Sequence, residues 1–543
     1  MPSHSPAPSP DIVDSWKEIA AYLNHDVRTV MRWEQTRGMP VHRLPGESKS
    51  AVHALKSELD AWRKSRRIHA LEVGGGPERG LPSPAPGAPS IAVLPFLNLS
   101  ADKENEYFSD GLADEIITAL TRIQGLRVTA RTSSFAFRGK EQDVREIGAR
   151  LGVSTLLEGS VQRSGDRIRI SAQLVGAADG FHLWSEHYDR ALAEIFALQE
   201  EVAASIAAAL KLEVGSQAAP ARPANLEAHN LWLRGRYYRY SRRSMQDFAK
   251  AAVCFSQAVV LDPNYAEAHL GLAQHSLDLA AYGLVSPRQV AAQGRAEVEK
   301  ALQLDGQLGE AHATLGAYRA LFDFDWPGAE SAYVKGLACD PGSALAHRGL
   351  ALSVLMPMGR LEEAEAEVRR ALELDPLSPE SHFITAMALF FRRRYDRAES
   401  SIRTAIELGA GHPFCEWIRG VIQALQGRLD EAVESCESAV RQFGTIPMLS
   451  AGLGTIYGWA GRTEEARRVL DQLEAAARVA YVSPIHRAWV YMGLGETDSA
   501  FTWLDRAIDA RDPHVLHLSV KPVYDGLRQD PRFTALLRKM RLA

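Results

Sequence analysis

The chain contains 543 residues, a length that corresponds to three or four domains of ordinary size. Apolar residues make up 46% and charged residues 24% of the composition, which excludes a mainly disordered or fibrous protein. The formal net charge is −5. The four cysteines are too few and too widely spaced for a secreted disulfide framework or a zinc site, and no stretch has the length and hydropathy of a transmembrane helix. We therefore expect a cytoplasmic protein that binds no metal and no membrane.

The first predicted domain covers residues 11–69 and mixes helical with strand-like patterns. Ser15 and Glu18 form a capping-box pattern in front of one helix, and a tight turn separates this helix from a second. Two strand-like runs, residues 39–44 and 49–54, then precede a third helix. This order of helices and a β-hairpin is typical of a winged helix-turn-helix.

The strings SWKEIAAYLN, RTVMRWEQTRGMPVHRL and LKSELDAW resemble the DNA-binding domains of the MerR and excisionase superfamily. The resemblance implies that the second helix, residues 27–36, enters the major groove of duplex DNA while the β-wing contacts the backbone or the minor groove. Residues 28–67 contain ten Lys or Arg and four Asp or Glu, a net charge of +6 that suits phosphate neutralisation. An ordinary solvated face is the alternative interpretation. The predicted DNA contacts are Arg28, Thr29 and Arg32 on the helix and His42, Arg43 and Lys49 on the wing.

A linker rich in proline and glycine, residues 70–89, precedes a second domain at residues 90–212. Strand-like and helical patterns alternate there, which predicts an α/β sandwich with one covered sheet. The strings IAVLPFLNLS, YFSDGLADEIITAL, LLEGSVQR and HLWSEHYDR resemble the TolB-amino-terminal/FlgO-like domain. That family stands before tetratricopeptide repeats in bacterial regulators and beside catalytic domains in some cyclases. We interpret Ser109-Asp110-Gly111 within it as a helix cap and not as a catalytic group.

After a second linker, residues 213–225, small residues recur every 34 positions, at Ala364, Ala398, Ala432, Ala466 and Ala500. This period, with strings such as GRLEEAEAEVRRALELDP, resembles the tetratricopeptide repeat and predicts about eight units over residues 226–511, followed by a capping segment at residues 512–543. Such arrays curve into a concave groove that suits a peptide or a protein helix. The string FFRRR at residues 390–394 is expected either to meet an acidic partner or to form an ordinary basic helix end.

The sequence thus predicts a multidomain chain: a small winged helix-turn-helix, an α/β sandwich and an all-α repeat solenoid. The function expected from this order is a DNA-binding transcription regulator whose middle domain and repeats receive a protein or ligand signal. A homodimer that reads two half-sites would enlarge the small DNA interface. An interaction scaffold and a regulatory subunit of a signalling enzyme remain alternatives. No catalytic motif or phosphate loop is recognised, so we expect no catalytic residues, no cofactor and no enzymatic activity.

Overall fold

The computed structural model describes residues 11–13, 15–23, 30–31, 39–43, 52–59, 89–100, 105–139, 142–212, 225–241, 245–409, 413–444 and 446–543. The chain divides into two compact units, Met1–Pro86 and Gly87–Ala543, which are treated separately below. Within these described ranges, no helix is both long enough and apolar enough to cross a membrane.

The N-terminal unit has a small three-stranded antiparallel sheet in the order β1-β3-β2. Its described elements are β1 (Ile12–Val13), α1 (Trp16–Leu23), β2 (His42–Arg43) and β3 (Val52–Leu55). The amide of Glu18 donates to Ser15 Oγ at 3.2 Å, so Ser15 caps α1 as its position predicts. Residues 30–31 are helical, but the rest of the predicted second helix lies outside the described residues. The winged helix-turn-helix therefore stays a prediction.

The middle domain is built on a mixed sheet in the order β6-β4-β7-β8-β9, with β5 also paired to β7. The strand β4 runs parallel to β6 and β7, whereas β7, β8 and β9 form an antiparallel meander. The strands are β4 (Ser90–Val93), β5 (Leu97–Asn98), β6 (Arg127–Val128), β7 (Thr155–Ser164), β8 (Arg167–Gly176) and β9 (His182–Ala191). The helices are α2 (Glu106–Leu120), α3 (Arg131–Phe135), α4 (Val144–Leu151) and α5 (Ile195–Ala209).

Side-chain alternation explains how this sheet is covered. On β8, Ile168 and Ile170 are fully buried under α2 and α5, while Arg167 and Arg169 face solvent. On β4 the alternation places Ile91 in the same core and Ala92 in a second core against α4. The central strand is thus buried on both faces, which explains its continuous apolar sequence and adds a second covered face to the one expected.

Two element boundaries differ from the sequence prediction. The sequence pattern predicts a strand over residues 126–131, but the strand is only Arg127–Val128, and Arg131 already begins the helix α3. The pattern also predicts a helix from Ala191, but this helix begins at Ile195, because Ala191 still belongs to β9 and Leu192–Glu194 forms a 3₁₀ turn.

The C-terminal region is an all-helical repeat solenoid, as predicted, with eight helical pairs in the described residues. Repeats 1 to 4 are α6 (Leu226–Ser241) and α7 (Met245–Leu261), α8 (Ala266–Ala281) and α9 (Pro287–Leu304), α10 (Gly309–Tyr318) and α11 (Trp326–Cys339), and α12 (Ala344–Leu350) and α13 (Leu361–Leu374). Repeats 5 to 8 are α14 (Pro379–Phe391) and α15 (Tyr395–Leu408), α16 (Pro413–Leu425) and α17 (Leu429–Phe443), α18 (Pro447–Trp459) and α19 (Thr463–Ala477), and α20 (Pro484–Gly493) and α21 (Thr497–Asp509). The helix α22 (Pro531–Lys539) lies near the end of the segment that follows.

The 34-residue period marks the contacts that hold each pair together. All five periodic alanines are fully buried at the start of the second helix of their repeat: Ala364, Ala398, Ala432, Ala466 and Ala500. Helices also meet at glycine: a Cβ on Gly458 would stand 2.3 Å from the backbone carbon of Gly493. Small side chains at these points let the helical pairs approach closely.

The first repeat and the middle domain share one apolar core. Trp232, Leu233 and Phe255 of repeat 1 belong to the same buried cluster as Leu112 and Ile116 of α2. A Cβ on Gly111 would lie 2.6 Å from Leu233, so α2 and α6 are in close contact at this glycine. The sheet domain therefore covers the open end of the repeat array.

Candidate functional site

The predicted DNA contacts fall mostly outside the described residues. Of the six, Arg28, Thr29, Arg32 and Lys49 have no described position, and only the backbone of Arg43 is described, in β2. His42 is exposed on β2, and its Nε2 lies 2.6 Å from Glu58 Oε2. His42 therefore already has a carboxylate partner within the N-terminal unit.

Ser109-Asp110-Gly111 lies inside the helix α2, and the expectation that it caps a helix is wrong. Asp110 is buried and accepts a hydrogen bond from Arg138, and Arg131 lies 3.7 Å away. Burial raises the pKa of Asp110, while the two arginines oppose that shift. Asp114, one turn further along α2, lies 2.7 Å from Arg236 of the first repeat. Asp110 of the motif therefore forms its ion pairs within the middle domain, and Asp114 forms the ion pair that joins α2 to the first repeat.

A second contact joins the middle domain to repeat 4. Asp375 follows α13 and is 1% exposed. Its Oδ1 accepts from the amide of Ser133 at 3.0 Å and from the Ser133 hydroxyl at 2.5 Å, and its Oδ2 accepts from Arg348 at 3.2 Å. The Ser133 hydroxyl also accepts from the amide of Leu377 at 2.8 Å. These charge-assisted bonds fix α3 against the turn between repeats 4 and 5.

The segment expected to cap the repeats, residues 512–543, reaches much further than the last pair. Trp326 Nε1 donates to the carbonyl of Met540 at 2.9 Å, and His517 Nε2 donates to the carbonyl of Leu352 at 2.8 Å. We name as the inner surface the residues of repeats 3, 4, 5, 6 and 8 that contact this segment: Trp326, Leu352, Phe391, Trp417 and Trp489. Five repeats can contact one short segment only if they curve around it, so the segment fills the side where a peptide was expected.

Lys521 occupies the centre of this contact. It is 6% exposed, and its Nζ lies 4.6 Å from the ring centre of Trp417 and 5.0 Å from that of Trp489. The two indoles stack with centroids 4.9 Å apart, and Trp489 Nε1 donates to Tyr524 at 3.0 Å. Burial alone lowers the pKa of Lys521 to about 7, without an opposing contribution from a carboxylate in the described chain. The ammonium group is therefore stabilised by ring faces and not by an ion pair.

The FFRRR string has partners within the chain. Phe390 and Phe391 are fully buried. Arg392 pairs with Glu362 and Glu365, and Arg394 pairs with Glu365. Arg393 pairs at 2.7 Å with Asp525 of the C-terminal segment. The aromatic rings are not available to an acidic partner, and the arginines are engaged with carboxylates of this chain.

No group of three or more His, Cys, Asp or Glu side chains in the described residues is arranged to hold a metal ion. His514 lies 3.1 Å from Asp512, and His517 donates to a backbone carbonyl. Burial lowers the pKa of His517 to about 4. Lys521 was not identified from the sequence, because its only local signal is a cation between Val520 and Pro522 in an apolar run.

Two families match parts of the chain. Residues 87–205 match the family described as HilA/YgeH-like transcriptional regulator, second domain, and residues 353–413 and 386–445 match the tetratricopeptide repeat. The first match suggests transcription regulation, and the repeats suggest protein partners. The resemblances to MerR-type and TolB-amino-terminal/FlgO-like domains are not confirmed by these matches.

A curated relative carries the name of an enzyme. "Putative adenylate cyclase 3" of Rhizobium meliloti (strain 1021) is 38% identical to this chain over 240 residues, which are 43% of this chain and 40% of the relative. The chain thus spans less than half the length of that relative. The expectation of no enzymatic activity is contradicted by this finding.

Several solved repeat structures align with the chain at low similarity. The crystal structure of MamA is 23% identical, covering 30% of this chain and 96% of its own, with a TM-score of 0.26. A tetratricopeptide repeat protein from Parabacteroides merdae ATCC 43184 is 13% identical, covering 50% and 98%, with a TM-score of 0.33. PilW, a type IV pilus biogenesis factor, is 17% identical, covering 46% and 100%, also at 0.33. Neither the fold nor the function rests on alignments with such TM-scores.

The contact between Ser133 and Asp375 predicts a large effect for one substitution. Asp375→Ala leaves the Arg348 guanidinium and the Ser133 amide without their carboxylate, so the free energy of unfolding should fall by about 3 kcal/mol. Urea denaturation measures the loss, and hydrogen exchange at the Ser133 amide should accelerate. The matched control is Glu434→Ala, which removes an exposed pair with Arg441 and should cost less than about 1 kcal/mol. Equal losses in the two variants would contradict the role assigned to Asp375.

We predict that the substitution Lys521→Met increases the stability of the chain by an amount that depends on pH. The pKa of Lys521 is about 7 in the folded chain against an ordinary 10.5 when unfolded. The unfolded state therefore binds more protons between these values, and wild-type stability falls as the pH drops from 10.5 towards 7. Methionine fills the space of Lys521 against the two indoles without a charge, so the variant should be more stable at pH 7. Its advantage should shrink by up to about 1.4 kcal/mol per pH unit as the pH rises.

Urea midpoints of both chains between pH 7 and pH 9.5 measure this advantage. Lys539→Met is the control, because Lys539 is half-exposed and its pKa is raised by the hydrogen bond that it donates to Asp505. That variant should show no advantage that shrinks with pH. An advantage of Lys521→Met that is constant over the range would contradict the prediction.

Proposed function

We propose that this protein regulates transcription by binding duplex DNA through its N-terminal unit, while residues 87–543 receive a protein signal. The observation that carries the proposal is the match of residues 87–205 to the second domain of a HilA/YgeH-like transcriptional regulator. A domain described as the second has another before it, and in this chain a strongly basic segment stands there. The tetratricopeptide repeats behind it supply surfaces for protein partners.

The distribution of charge supports DNA binding by the N-terminal unit. Residues 28–67 carry +6 in a chain whose total is −5, so the remaining residues carry −11. A polyanion is attracted to the basic segment and repelled by the rest of the chain. Neutralisation of phosphates by this segment makes the affinity fall steeply with salt concentration.

The proposed contacts are those of the winged helix-turn-helix interpretation. Arg28, Thr29 and Arg32 would reach base edges in the major groove, and Arg43 and Lys49 would contact phosphates from the wing. His42, beside Glu58, contributes least. A domain of about 60 residues buries a small DNA interface, so we propose that two copies read two half-sites.

Reversal of charge at the helix tests the proposal. Arg28→Glu with Arg32→Glu should weaken binding of a random-sequence duplex at least about tenfold and lower the salt slope by about 2, because two cations are lost. The matched control is Arg441→Glu with Arg468→Glu, two exposed arginines of the repeats with the same change of charge. Fluorescence anisotropy of a labelled duplex at several salt concentrations measures both variants. A similar loss in the control would show that net charge, and not the helix, determines binding.

The named relative favours adenylate cyclase activity as a second candidate function. The aligned 240 residues are the part that the two chains share, so purified full-length chain with ATP and Mg²⁺ or Mn²⁺ is the direct test. If the shared part is catalytic, cyclic AMP should accumulate in proportion to the chain concentration. A chain that binds DNA and forms no cyclic AMP would place the activity in the 60% of the relative that lies outside the alignment.

A further inference from the structure

The inner surface is a binding surface that already holds an occupant. Residues from five repeats contact residues 512–540, and the segment buries a nearly continuous set of apolar side chains: Val515, Leu516, Leu518, Tyr524, Leu527, Phe533, Leu536 and Met540. A polar contact also sits at the edge, where Arg393 pairs with Asp525. The structure therefore shows which chemistry fits here: an apolar segment that accepts a hydrogen bond from the Trp326 side chain through a backbone carbonyl and donates one from a side chain to the carbonyl of Leu352.

One residue of the occupant fits this surface poorly. Lys521 places a buried ammonium against the stacked rings of Trp417 and Trp489, where the described chain offers it no carboxylate. Removal of an ammonium from water is expensive, and ring faces return only part of that cost. An uncharged side chain of the same length would fill the same space without it. Residues 512–540 therefore bind the inner surface less tightly than their apolar contacts alone would make them bind.

The buried charge of Lys521 differs from the buried charge at the contact between repeat 4 and the middle domain. Asp375 is equally buried, but it has Arg348 and Ser133 as partners, so that contact is electrostatically satisfied. Lys521 has no such partner. Of these two buried charges, Lys521 is the one that favours release.

We propose that the inner surface is the site where a protein partner binds, and that the partner displaces residues 512–540 by presenting an apolar segment with an uncharged side chain against the stacked rings of Trp417 and Trp489. The proposal rests on the proposed function only in treating the repeats as the part that receives a protein signal. The tethered segment competes at a high effective concentration, so a partner must bind the inner surface more tightly than the segment does. Because Lys521 weakens the binding of the tethered segment, it lowers the affinity that a partner needs.

The test introduces the same substitution, Lys521→Met, either into a free peptide or into the chain. The probe is a labelled synthetic peptide of residues 512–540, and the receptor is the full-length chain, with binding read by fluorescence anisotropy. Lys521→Met in the peptide should tighten its binding to wild-type chain at least about tenfold, since the better occupant now competes from solution. Lys521→Met in the chain should weaken binding of either peptide at least about tenfold, since the better occupant is now tethered.

The controls separate this mechanism from a permanent cap. Lys539→Met in the peptide or in the chain should change binding by less than about twofold, because Lys539 is half-exposed beside Asp505. Absence of binding by both peptides to wild-type chain up to about 1 mM would show a permanent part of the core and overturn the proposal. Effects of the same sign in peptide and chain would overturn it too.

The readout contains no DNA, so it is independent of the first proposal. A chain that binds the peptides as expected but ignores duplex DNA would refute the regulator and keep the protein-binding site. A chain that binds duplex DNA but shows no opposed effects of Lys521→Met would refute the site and keep the regulator.

Discussion

A helical repeat can bury its apolar face only against a neighbour, so an array of eight pairs must find cover for its first helix and for the surface it curves around. In this chain, two other parts of the same unit supply that cover. The sheet domain packs α2 against the first repeat at Gly111 and Leu233, and residues 512–540 fill the inner surface. This requirement explains why residues 87–543 form one compact unit, although they comprise a sheet domain, a repeat array and a C-terminal segment with different sequence patterns.

The parts of the fold that the sequence predicted well are those whose cause is local. A 34-residue period places a small residue where two neighbouring helices meet, and the alternation along β8 marks its buried face, so both can be read without knowledge of the fold. The path of the C-terminal segment has no such signal. Its contacts join Trp326 to Met540 and Leu352 to His517, which are 214 and 165 residues apart. Likewise, nothing near FFRRR reveals that Arg393 meets Asp525.

The features of the candidate site that depend on distant contacts were likewise not predictable from the sequence. The basic segment could be located from the sequence, because the net charge of a segment depends only on which residues it contains and not on how they fold. The sequence pattern predicts that Ser109-Asp110-Gly111 caps the start of a helix, since serine and aspartate are preferred at helix N-caps. In the fold these residues lie within α2, where Arg138 and Arg131 make a buried Asp110 tolerable. Those arginines come from α3 and the turn after it, whose position is fixed by tertiary contacts.

Repeat 4 links the two contacts that dominate this unit. Its first helix carries Arg348, which holds Asp375 and through it Ser133 of the middle domain. One turn later on the same stretch, the carbonyl of Leu352 accepts from His517 of the C-terminal segment. Residues four apart on a helix lie one above the other, so both contacts act on one short, rigid element. Displacement of the segment would free a carbonyl one turn from the arginine that fixes the middle domain, so repeat 4 connects an occupant of the inner surface to the middle domain.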